Sequence, residues 1–298
     1  MQRMKQSELL TPAAVARIKK LEIFARKRID GYMKGANRSR AKGISTEFMQ
    51  HREYQPGDDL RHLDWKVYAR TDRLVTREFE EFTNLDVILA MDFSGSMNFG
   101  ERPMSKVEFA MHCSAMLGYL CLVGQNRFGL ASCSDSVTDW LPPKTGNRHL
   151  AEFFRKLVEL DVQGETDLKG CAMSLTNLVR RRSLIIAISD CYEDPDGLTH
   201  ALGQIALRGH DVILYQVVHE DEQELTQTSF TLYRDLETGQ LDGADPLEIR
   251  DAYRDVVFDH GQKLRDGAAS FGIEYHQLTV NEDWDRVLAL LLHKRARM

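Results

Sequence analysis

Short apolar runs alternate with segments of helical periodicity from Leu85 onward. Strands are predicted at residues 85–91, 128–132, 183–189, 212–218 and 273–278, and helices at 104–123, 147–160, 168–181, 197–208, 246–271 and 283–294. The run LIIAI at residues 184–188 is apolar without alternation, which is typical of a parallel strand covered on both faces. The pattern predicts an α/β domain with a doubly wound, mostly parallel sheet, helices on both faces and a hairpin at residues 229–241.

Two segments of different character precede this alternation. Apolar spacing predicts a helix that begins at Thr11 and Pro12 and places Val15, Ile18 and Leu21 on one face. Lysine and arginine dominate residues 17–42, which makes this helix strongly basic, whereas residues 43–82 are polar and rich in turns. We therefore expect an N-terminal region, residues 1–82, that packs on an α/β domain formed by residues 83–298.

Composition narrows the class of protein. The chain has 298 residues, a formal net charge of -6 and a hydrophobic content of 43%, which together favour a globular protein over a general nucleic-acid binder. The basic arm is expected to be a solvated helix face, with contact to an anionic membrane or a nucleic acid as the alternative. No apolar signal-peptide core is visible at the N-terminus, and the apolar run at residues 288–292 is too short to span a bilayer. A cytoplasmic location is expected.

Cysteine and histidine spacing gives no indication of a zinc site. The five cysteines contain no C-x-x-C pair, and the ten histidines show no H-x-H or H-x-x-x-H spacing. We expect the cysteines to be small buried side chains.

Oxygen-bearing side chains occur at the ends of two predicted strands. Asp92, Ser94 and Ser96 follow the first strand at alternate positions, and Asp190 follows the strand at 183–189. Between them, the loop QGETD at residues 163–167 contains Thr166. Because the carboxyl ends of parallel strands meet at one edge of the sheet, these residues are expected to converge on one crevice.

Hydroxyl and carboxylate oxygens are ligands that suit a hard cation, Mg²⁺ first and Mn²⁺ or Ca²⁺ as alternatives. The predicted metal ligands are Asp92, Ser94, Ser96, Thr166 and Asp190. With one carboxylate bound directly and the other acting through water, about one positive charge on the metal stays uncancelled. Such a cation would attract an anion from outside the protein.

The same residue types also occur in other roles. Asp and Ser at a strand-to-helix turn can cap the following helix without a metal, and Asp190 can cap the helix near residue 197. Phosphatases that form an aspartyl phosphate need a second aspartate two residues after the first, where this chain has Ser94. The chain has no G-x-S-x-G, Walker A or G-x-G-x-x-G motif around these residues. A non-enzymatic role is expected, with a magnesium-dependent hydrolase or a nucleic-acid accessory protein as alternatives.

Two sequence blocks resemble known families. DFSGS at residues 92–96, with Thr166 and Asp190, resembles the metal-ion-dependent adhesion site of von Willebrand factor A domains, although Glu165 stands where a glycine is common. REYQPGDDLRHLDW at residues 52–65, followed by Ala69 and Arg70, resembles the signature of the bacterial "domain of unknown function 58" family. The resemblance implies a von Willebrand factor A-like core and a MoxR-type AAA+ ATPase as partner. It implies no known reaction.

The block at residues 52–65 has two interpretations. Pro56 and Gly57 favour a turn, the charged residues can pair and Trp65 can pack on a core, which is a purely structural role. Alternatively, the block shapes a surface that binds the partner. The partner-binding candidates are Arg52, Glu53, Tyr54, Asp58, Asp59, Arg61, Asp64 and Trp65.

Overall fold

The computed structural model describes residues 16, 19, 23, 50–53, 67, 75–78, 86–100, 103–134, 137–160, 162, 167–223, 225, 228–236, 238–280, 282, 286–287 and 290. The chain divides into two compact units, one of residues 1–31 with 85–298 and one of residues 32–84. The boundary predicted between residues 82 and 83 lies outside the described residues. Most of the predicted helices at the two ends of the chain also lie outside them, while Ala16, Lys19 and Ile23 near one end and residues 286, 287 and 290 near the other are helical.

The smaller unit contains an antiparallel strand pair. Strand β1 (Gln50–Glu53) pairs with β2 (Val75–Glu78), with Gln50 opposite Glu78 and Glu53 opposite Val75. These strands read QHRE and VTRE, so they carry almost no apolar alternation. This is why the sequence indicated only a polar, turn-rich segment here.

The larger unit is built on a six-stranded sheet. Its strands are β3 (Asp86–Asp92), β4 (Arg127–Cys133), β5 (Val137–Lys144), β6 (Ser183–Ser189), β7 (Asp211–Val218) and β10 (Glu274–Thr279). Their order across the sheet is β10-β7-β6-β3-β4-β5, and all neighbouring pairs are parallel except β4 with β5. A separate hairpin, β8 (Thr231–Arg234) with β9 (Leu241–Ala244), confirms the hairpin predicted near residues 229–241.

Helices connect these strands, as the alternation predicted. They are α1 (Lys106–Val123), α2 (Asn147–Glu159), α3 (Leu168–Leu178), α4 (Pro195–Leu207), the single turn α5 (Glu220–Gln223) and α6 (Pro246–Ser270). Local chemistry sets where α1 begins. The Ser105 hydroxyl accepts from the Glu108 N–H, and the Glu108 carboxylate accepts from the Ser105 N–H, which satisfies two otherwise unpaired backbone donors.

Both faces of the sheet are covered, which confirms the predicted fold class. Ile88, Ile185 and Leu214 share one face, where they form a core cluster with residues of α3, α4 and α6. On the other face the Ser114 hydroxyl of α1 donates to Met91 Sδ, 3.6 Å away. By length and composition α1 is the one helix among the described residues that is able to cross a membrane, but 78% of it is buried inside the protein, as in an ordinary core helix.

The edge strand β5 was missed by the sequence analysis. It contains Pro142 and Pro143, which cannot donate to a ladder of hydrogen bonds, and its residues are mostly only partly buried. At a sheet edge one side of the strand needs no partner, so prolines are tolerated there. The strand pairs with β4 through an irregular register and makes the sheet mixed instead of fully parallel.

The cysteines are all buried, as predicted, but two of them form an unanticipated disulfide between Cys133 at the end of β4 and Cys171 in α3. The bond ties the start of α3 to the carboxyl edge of the sheet. Cys113, Cys121 and Cys191 are buried thiols.

The disulfide gives a prediction about thiol count and stability. We expect three reactive thiols in unfolded, unreduced protein and five after reduction, counted with a chromogenic thiol reagent. The bridge spans a sequence separation of 38 residues. Its loss should therefore lower the free energy of unfolding by about 4 kcal/mol in the loop-entropy account. Urea unfolding of Cys171→Ala should show this loss and give the same midpoint in oxidising and reducing buffer, whereas the control Cys121→Ala keeps the bridge and should lose stability on reduction as the wild type does. Five thiols before reduction would contradict the disulfide.

Candidate metal centre

The predicted site residues leave the sheet from two neighbouring central strands. Met91 of β3 is in register with Ile188 of β6, so Asp92 and Ser189 end their strands side by side. The chain runs from β3 outward to β4 and β5 on one side and returns to β6 on the other. Such a reversal leaves a crevice at the carboxyl ends of the two strands, where ligands bind in open α/β sheets.

Asp92 is buried and held by two hydrogen bonds. Its Oδ1 accepts from the Ser94 backbone N–H at 2.8 Å, and its Oδ2 accepts from the Ser189 hydroxyl at 2.6 Å. The Ser189 oxygen in turn accepts from the Cys191 N–H at 2.9 Å. The carboxylate therefore has one fixed orientation at the end of β3.

Ser94 and Ser96 lie in the turn that follows β3. Ser94 precedes a 3₁₀ turn (Gly95–Asn98), and its hydroxyl does not cap that turn. Instead, the hydroxyl oxygens of Ser94 and Ser96 lie 3.1 Å apart, within hydrogen-bonding distance. The capping alternative is therefore wrong for Ser94, and the two hydroxyls are placed together as the metal hypothesis requires.

Asp190 is also fully buried, and its two oxygens differ in their contacts. Oδ2 accepts from the Lys106 ammonium at 2.7 Å, whereas Oδ1 has no hydrogen-bond partner within the described part of the chain. Helix α4 is capped by Asp194, whose carboxylate accepts from the Gly197 N–H at 2.8 Å. The interpretation of Asp190 as a helix cap is therefore wrong, because Asp194 performs that role.

The backbone next to Asp190 is held in an unusual conformation. Cys191 has φ of 59°, a left-handed conformation that costs energy for a residue with a side chain. The Gln216 side chain donates to the Asp190 carbonyl at 3.1 Å, and a ring nitrogen of His260 lies 2.7 Å from the Cys191 carbonyl oxygen. These contacts from β7 and α6 fix the turn that carries Asp190.

Thr166 lies outside the described residues. The residue that follows it, Asp167, donates its backbone N–H to the Ser134 carbonyl at 2.8 Å, just beyond the end of β4. The Glu193 carboxylate accepts from the N–H groups of Leu168 and Lys169 at the start of α3. The end of this loop is thus anchored at the same edge of the sheet as Asp92.

Lys106 and Glu222 are site residues that the sequence analysis missed. The Lys106 side chain is 0% exposed, and its Nζ lies 2.7 Å from both Asp190 Oδ2 and Glu222 Oε1. It also lies 4.7 Å from the centre of the Tyr192 ring, a cation–π contact. Burial raises the pKa of Glu222, and the Lys106 ammonium opposes that rise. The sequence signal that could have drawn attention to Lys106 was its position directly after Ser105, the residue that caps α1.

A cavity of 430 Å³ is lined by Ser96, Tyr192, Glu222 and the tip of the β8–β9 hairpin at residues 234–236. A larger cavity of 880 Å³ lies against α6 and shares Tyr192 and Glu222 with the first. The residues that line the larger cavity do not include Ser94 or Ser96. Of these two cavities, the smaller one therefore gives access to Ser96.

The site disfavours a negative charge on Asp92 beside the negative charge of Asp190. Burial, and then the negative charge of Asp190, raise the pKa of Asp92 to about 7, although hydrogen bonds from Ser189 and Ser94 oppose the rise. Asp92 and Asp190 are thus two buried carboxyl groups in one site. The Lys106 ammonium pairs with Asp190 and with Glu222. A bound cation would relieve this repulsion.

The donor set fits a hard cation better than a soft one. Within the described ranges no group of three or more His, Cys, Asp or Glu side chains is placed to hold a metal ion, so a cation bound at this site would need the serine hydroxyls among its ligands. The two clustered hydroxyls, the Asp92 carboxylate and the unpartnered Asp190 Oδ1 are all hard oxygen donors.

The predicted partner-binding block is described only in part. Arg52 and Glu53 lie in β1 of the smaller unit, opposite Thr76 and Val75. The other candidates, Tyr54, Asp58, Asp59, Arg61, Asp64 and Trp65, lie outside the described residues.

Comparison with known proteins identifies the family. A family model described as "Protein of unknown function DUF58" matches residues 50–263, a range that includes Asp92, Ser94, Ser96 and Asp190. The chain belongs to the DUF58 family. This DUF58 protein is 27% identical over 288 residues to the uncharacterized protein Rv1480 of Mycobacterium tuberculosis, covering 94% of this chain and 89% of the relative. It is 32% identical over 106 residues to the uncharacterized protein YeaD of Bacillus subtilis, which is 36% of this chain and 24% of YeaD.

Solved structures with a similar arrangement include the conserved hypothetical protein BatB from Bacteroides thetaiotaomicron. It has a TM-score of 0.49 and 16% identity, covering 72% of this DUF58 chain and all of BatB. The SpRpn10 VWA domain has a TM-score of 0.44 and 13% identity, covering 70% of this chain and 94% of that domain.

The raised pKa of Asp92 predicts an unusual pH dependence. An aspartate in an unfolded chain titrates near pH 3.9. The folded state therefore holds a proton on Asp92 that the unfolded state releases, from that pH up to about 7. The metal-free DUF58 protein should accordingly lose stability as pH rises through this interval. Asp92→Asn should remove this loss and unfold at higher urea than the wild type at pH 8 in chelator.

The matched control is Asp211→Asn, at the opposite end of the sheet, where the carboxylate is partly exposed and lies 3.5 Å from Arg182. It should leave the pH dependence unchanged. Equal urea midpoints for wild type and Asp92→Asn at both pH 5 and pH 8 would refute the prediction.

Proposed function

We propose that this DUF58 protein is a cytoplasmic, non-enzymatic module that binds a protein partner through a divalent cation. The observation that carries the proposal is the buried Asp190 Oδ1, which has no hydrogen-bond partner among the described residues. A buried carboxylate oxygen without a partner is costly, and a cation beside the Ser94 and Ser96 hydroxyls would satisfy it. Mg²⁺ is the proposed ion, with Mn²⁺ or Ca²⁺ as alternatives.

Ser94 and Ser96 would hold the cation through neutral hydroxyls, Asp92 and Asp190 through carboxylates directly or through water, and Thr166 by its resemblance to the adhesion-site pattern. The bound ion would act as a Lewis acid with a coordination position open to an external oxygen. Since the serines bring no charge, the ion keeps an attraction for a carboxylate. The partner is therefore proposed to present a glutamate or aspartate.

The smaller cavity supports entry of such a side chain. Its lining includes Ser96 and one basic residue, Arg234 of the hairpin, beside the acidic residues Glu193, Glu222 and Asp235, so the attraction for an incoming carboxylate has to come chiefly from the ion. Leu236, which is 44% exposed, lines the same cavity and offers an apolar contact at its rim. The proposed partner is a MoxR-type AAA+ ATPase, as the family resemblance implies, in protein assembly or maturation.

The contacts of the ionisable groups support a non-enzymatic role over hydrolysis. The Lys106 ammonium is engaged by two carboxylates at 2.7 Å, and both Asp92 oxygens accept hydrogen bonds. Neither group is aimed into the cavity as a free acid or base, which general acid–base catalysis requires.

Metal binding should stabilise the fold. MgCl₂ at 100 times its dissociation constant should raise the free energy of unfolding by about 2.7 kcal/mol, because the ion binds only the folded state. Asp92→Asn should abolish this gain, and Ser94→Ala should weaken it by removing one ligand oxygen. Differential scanning calorimetry in MgCl₂ and in chelator measures the gain. Ser270→Ala, at the end of α6, is the matched control. A full Mg²⁺ response in Asp92→Asn would place the ion elsewhere.

Partner binding should depend on the same ion. Titration of the purified MoxR-type ATPase into this protein by calorimetry should give binding with wild type and none with Asp92→Asn, both in MgCl₂. Because wild type and Asp92→Asn are compared in the same MgCl₂ buffer, the ATPase keeps its own Mg²⁺ in both titrations. Binding should also tolerate moderate salt better than a surface ion pair does, since coordination at a buried site is less screened. Equal affinity for both proteins would reject the metal bridge.

A further inference from the structure

A buried lysine lies beside the proposed metal ligands and belongs to none of the predicted roles. The Lys106 side chain is 0% exposed, and its ammonium makes 2.7 Å ion pairs with Asp190 and Glu222. Tyr192 and Phe99 place their rings 4.7 and 5.7 Å from the nitrogen. A lysine is almost never fully buried unless it is paired, so this position is built around the charge.

Lys106 divides the Asp190 carboxylate into two unlike oxygens. Oδ2 is occupied by the ammonium, while Oδ1 is buried without a partner among the described residues. With Oδ2 held by Lys106, Asp190 has only Oδ1 available for a cation and cannot rotate to chelate it with both oxygens. Lys106 forms no ion pair with Asp92 in the part of the chain that the structure describes, so its effect on a bound cation passes through Asp190 and through space.

Lys106 also sets the charge of the centre. Asp92, Asp190 and Glu222 supply three negative charges when ionised, and Lys106 supplies one positive charge against them. A divalent cation then brings the group to neutrality. Without the ammonium the same group would keep a net negative charge with the cation bound, and it would repel an incoming carboxylate.

We propose that Lys106 is the positioning residue of the centre, which limits Asp190 to one free oxygen and keeps the bound cation attractive to a partner's carboxylate. This inference rests on the proposed metal-dependent function. The proposal predicts opposite effects of Lys106 on two affinities. Lys106 weakens the binding of the metal and strengthens the binding of an acidic ligand to that metal. A residue that only supports the fold would not change the two affinities in opposite directions.

Three variants test the proposal. Lys106→Met keeps the unbranched side chain and removes the positive charge, and Glu222→Gln keeps the shape and removes a negative charge from a residue that is not a proposed ligand. The double variant restores the wild-type sum of charges. Circular dichroism and thermal melting establish that each variant folds. Because Lys106→Met leaves two buried carboxylates unpaired, Glu222→Gln serves as an independent test if that variant is unfolded.

The first measurement is calorimetric titration with MnCl₂ alone. Lys106→Met should bind Mn²⁺ about tenfold more tightly than wild type, the order expected for one unit charge acting on a divalent ion at a partly buried site. Glu222→Gln should bind Mn²⁺ more weakly by a similar factor, and the double variant should lie between the two.

The second measurement uses acetate as the simplest carboxylate. With each protein saturated with Mn²⁺, added acetate should displace a metal-bound water and lower the enhancement of water-proton relaxation. The half-maximal acetate concentration should be about tenfold higher for Lys106→Met than for wild type, and lower for Glu222→Gln. Chloride at equal ionic strength controls for screening.

The outcomes separate the two proposals. Absence of Mn²⁺ binding to wild type would overturn the metal-dependent function and this inference with it. Mn²⁺ binding that is equal in wild type and in the folded variants would overturn the role of Lys106 alone. Weaker binding of both Mn²⁺ and acetate in every variant would mean that Lys106 only supports the fold, and would overturn the proposal as well.

Discussion

The structure depends on the burial of two carboxylates, Asp92 and Asp190, at the ends of adjacent parallel strands. The register of β3 against β6 forces them together, since Met91 and Ile188 are paired and the acids come one and two residues later. Burial and the negative charge of Asp190 both oppose the ionisation of Asp92, which is why its pKa rises to about 7. Three groups around the two carboxylates offset part of this cost: the Ser189 hydroxyl, the Ser94 N–H and the Lys106 ammonium.

Much of the surrounding fold holds these acids in place. Gln216 on β7 and His260 on α6 fix the turn after β6, where Cys191 has a left-handed backbone. Glu193 and the Cys133–Cys171 bridge tie the start of α3 to the same edge. Helix α1, buried on nearly every side, delivers Lys106 from its first residue. The result is a frame in which the hydroxyls of Ser94 and Ser96 lie together and one buried Asp190 oxygen lacks a hydrogen-bond partner among the described residues.

In the proposed function, this arrangement would let a weakly charged set of metal ligands serve the recognition of a partner. A centre with many carboxylates would bind a cation tightly and leave it little attraction for an external acid. In the proposed centre, neutral serines and an internal ammonium would shift the balance the other way, toward a cation that is held less tightly and remains open to a ligand. In the proposed function, where a partner reaches Ser96 through the smaller cavity, that balance would favour an exposed acidic side chain. Tyr192 and Glu222 line both cavities, so the centre is continuous with the surface against α6.

The sequence by itself determined the α/β architecture and the places where β3 and β6 end, because both follow from local patterns. Apolar runs without alternation indicate covered parallel strands, and Asp92, Ser94 and Asp190 stand directly after such runs. The strand pair β1–β2 and the edge strand β5 were not predicted, since their residues show no clear alternation of apolar and polar side chains. Only the tertiary structure brought Lys106 to Asp190 and Glu222, across sequence separations of 84 and 116 residues, and Cys133 to Cys171. Periodicity reports which face of an element is buried, but the partner of a buried charge is set by which elements the packed sheet makes neighbours.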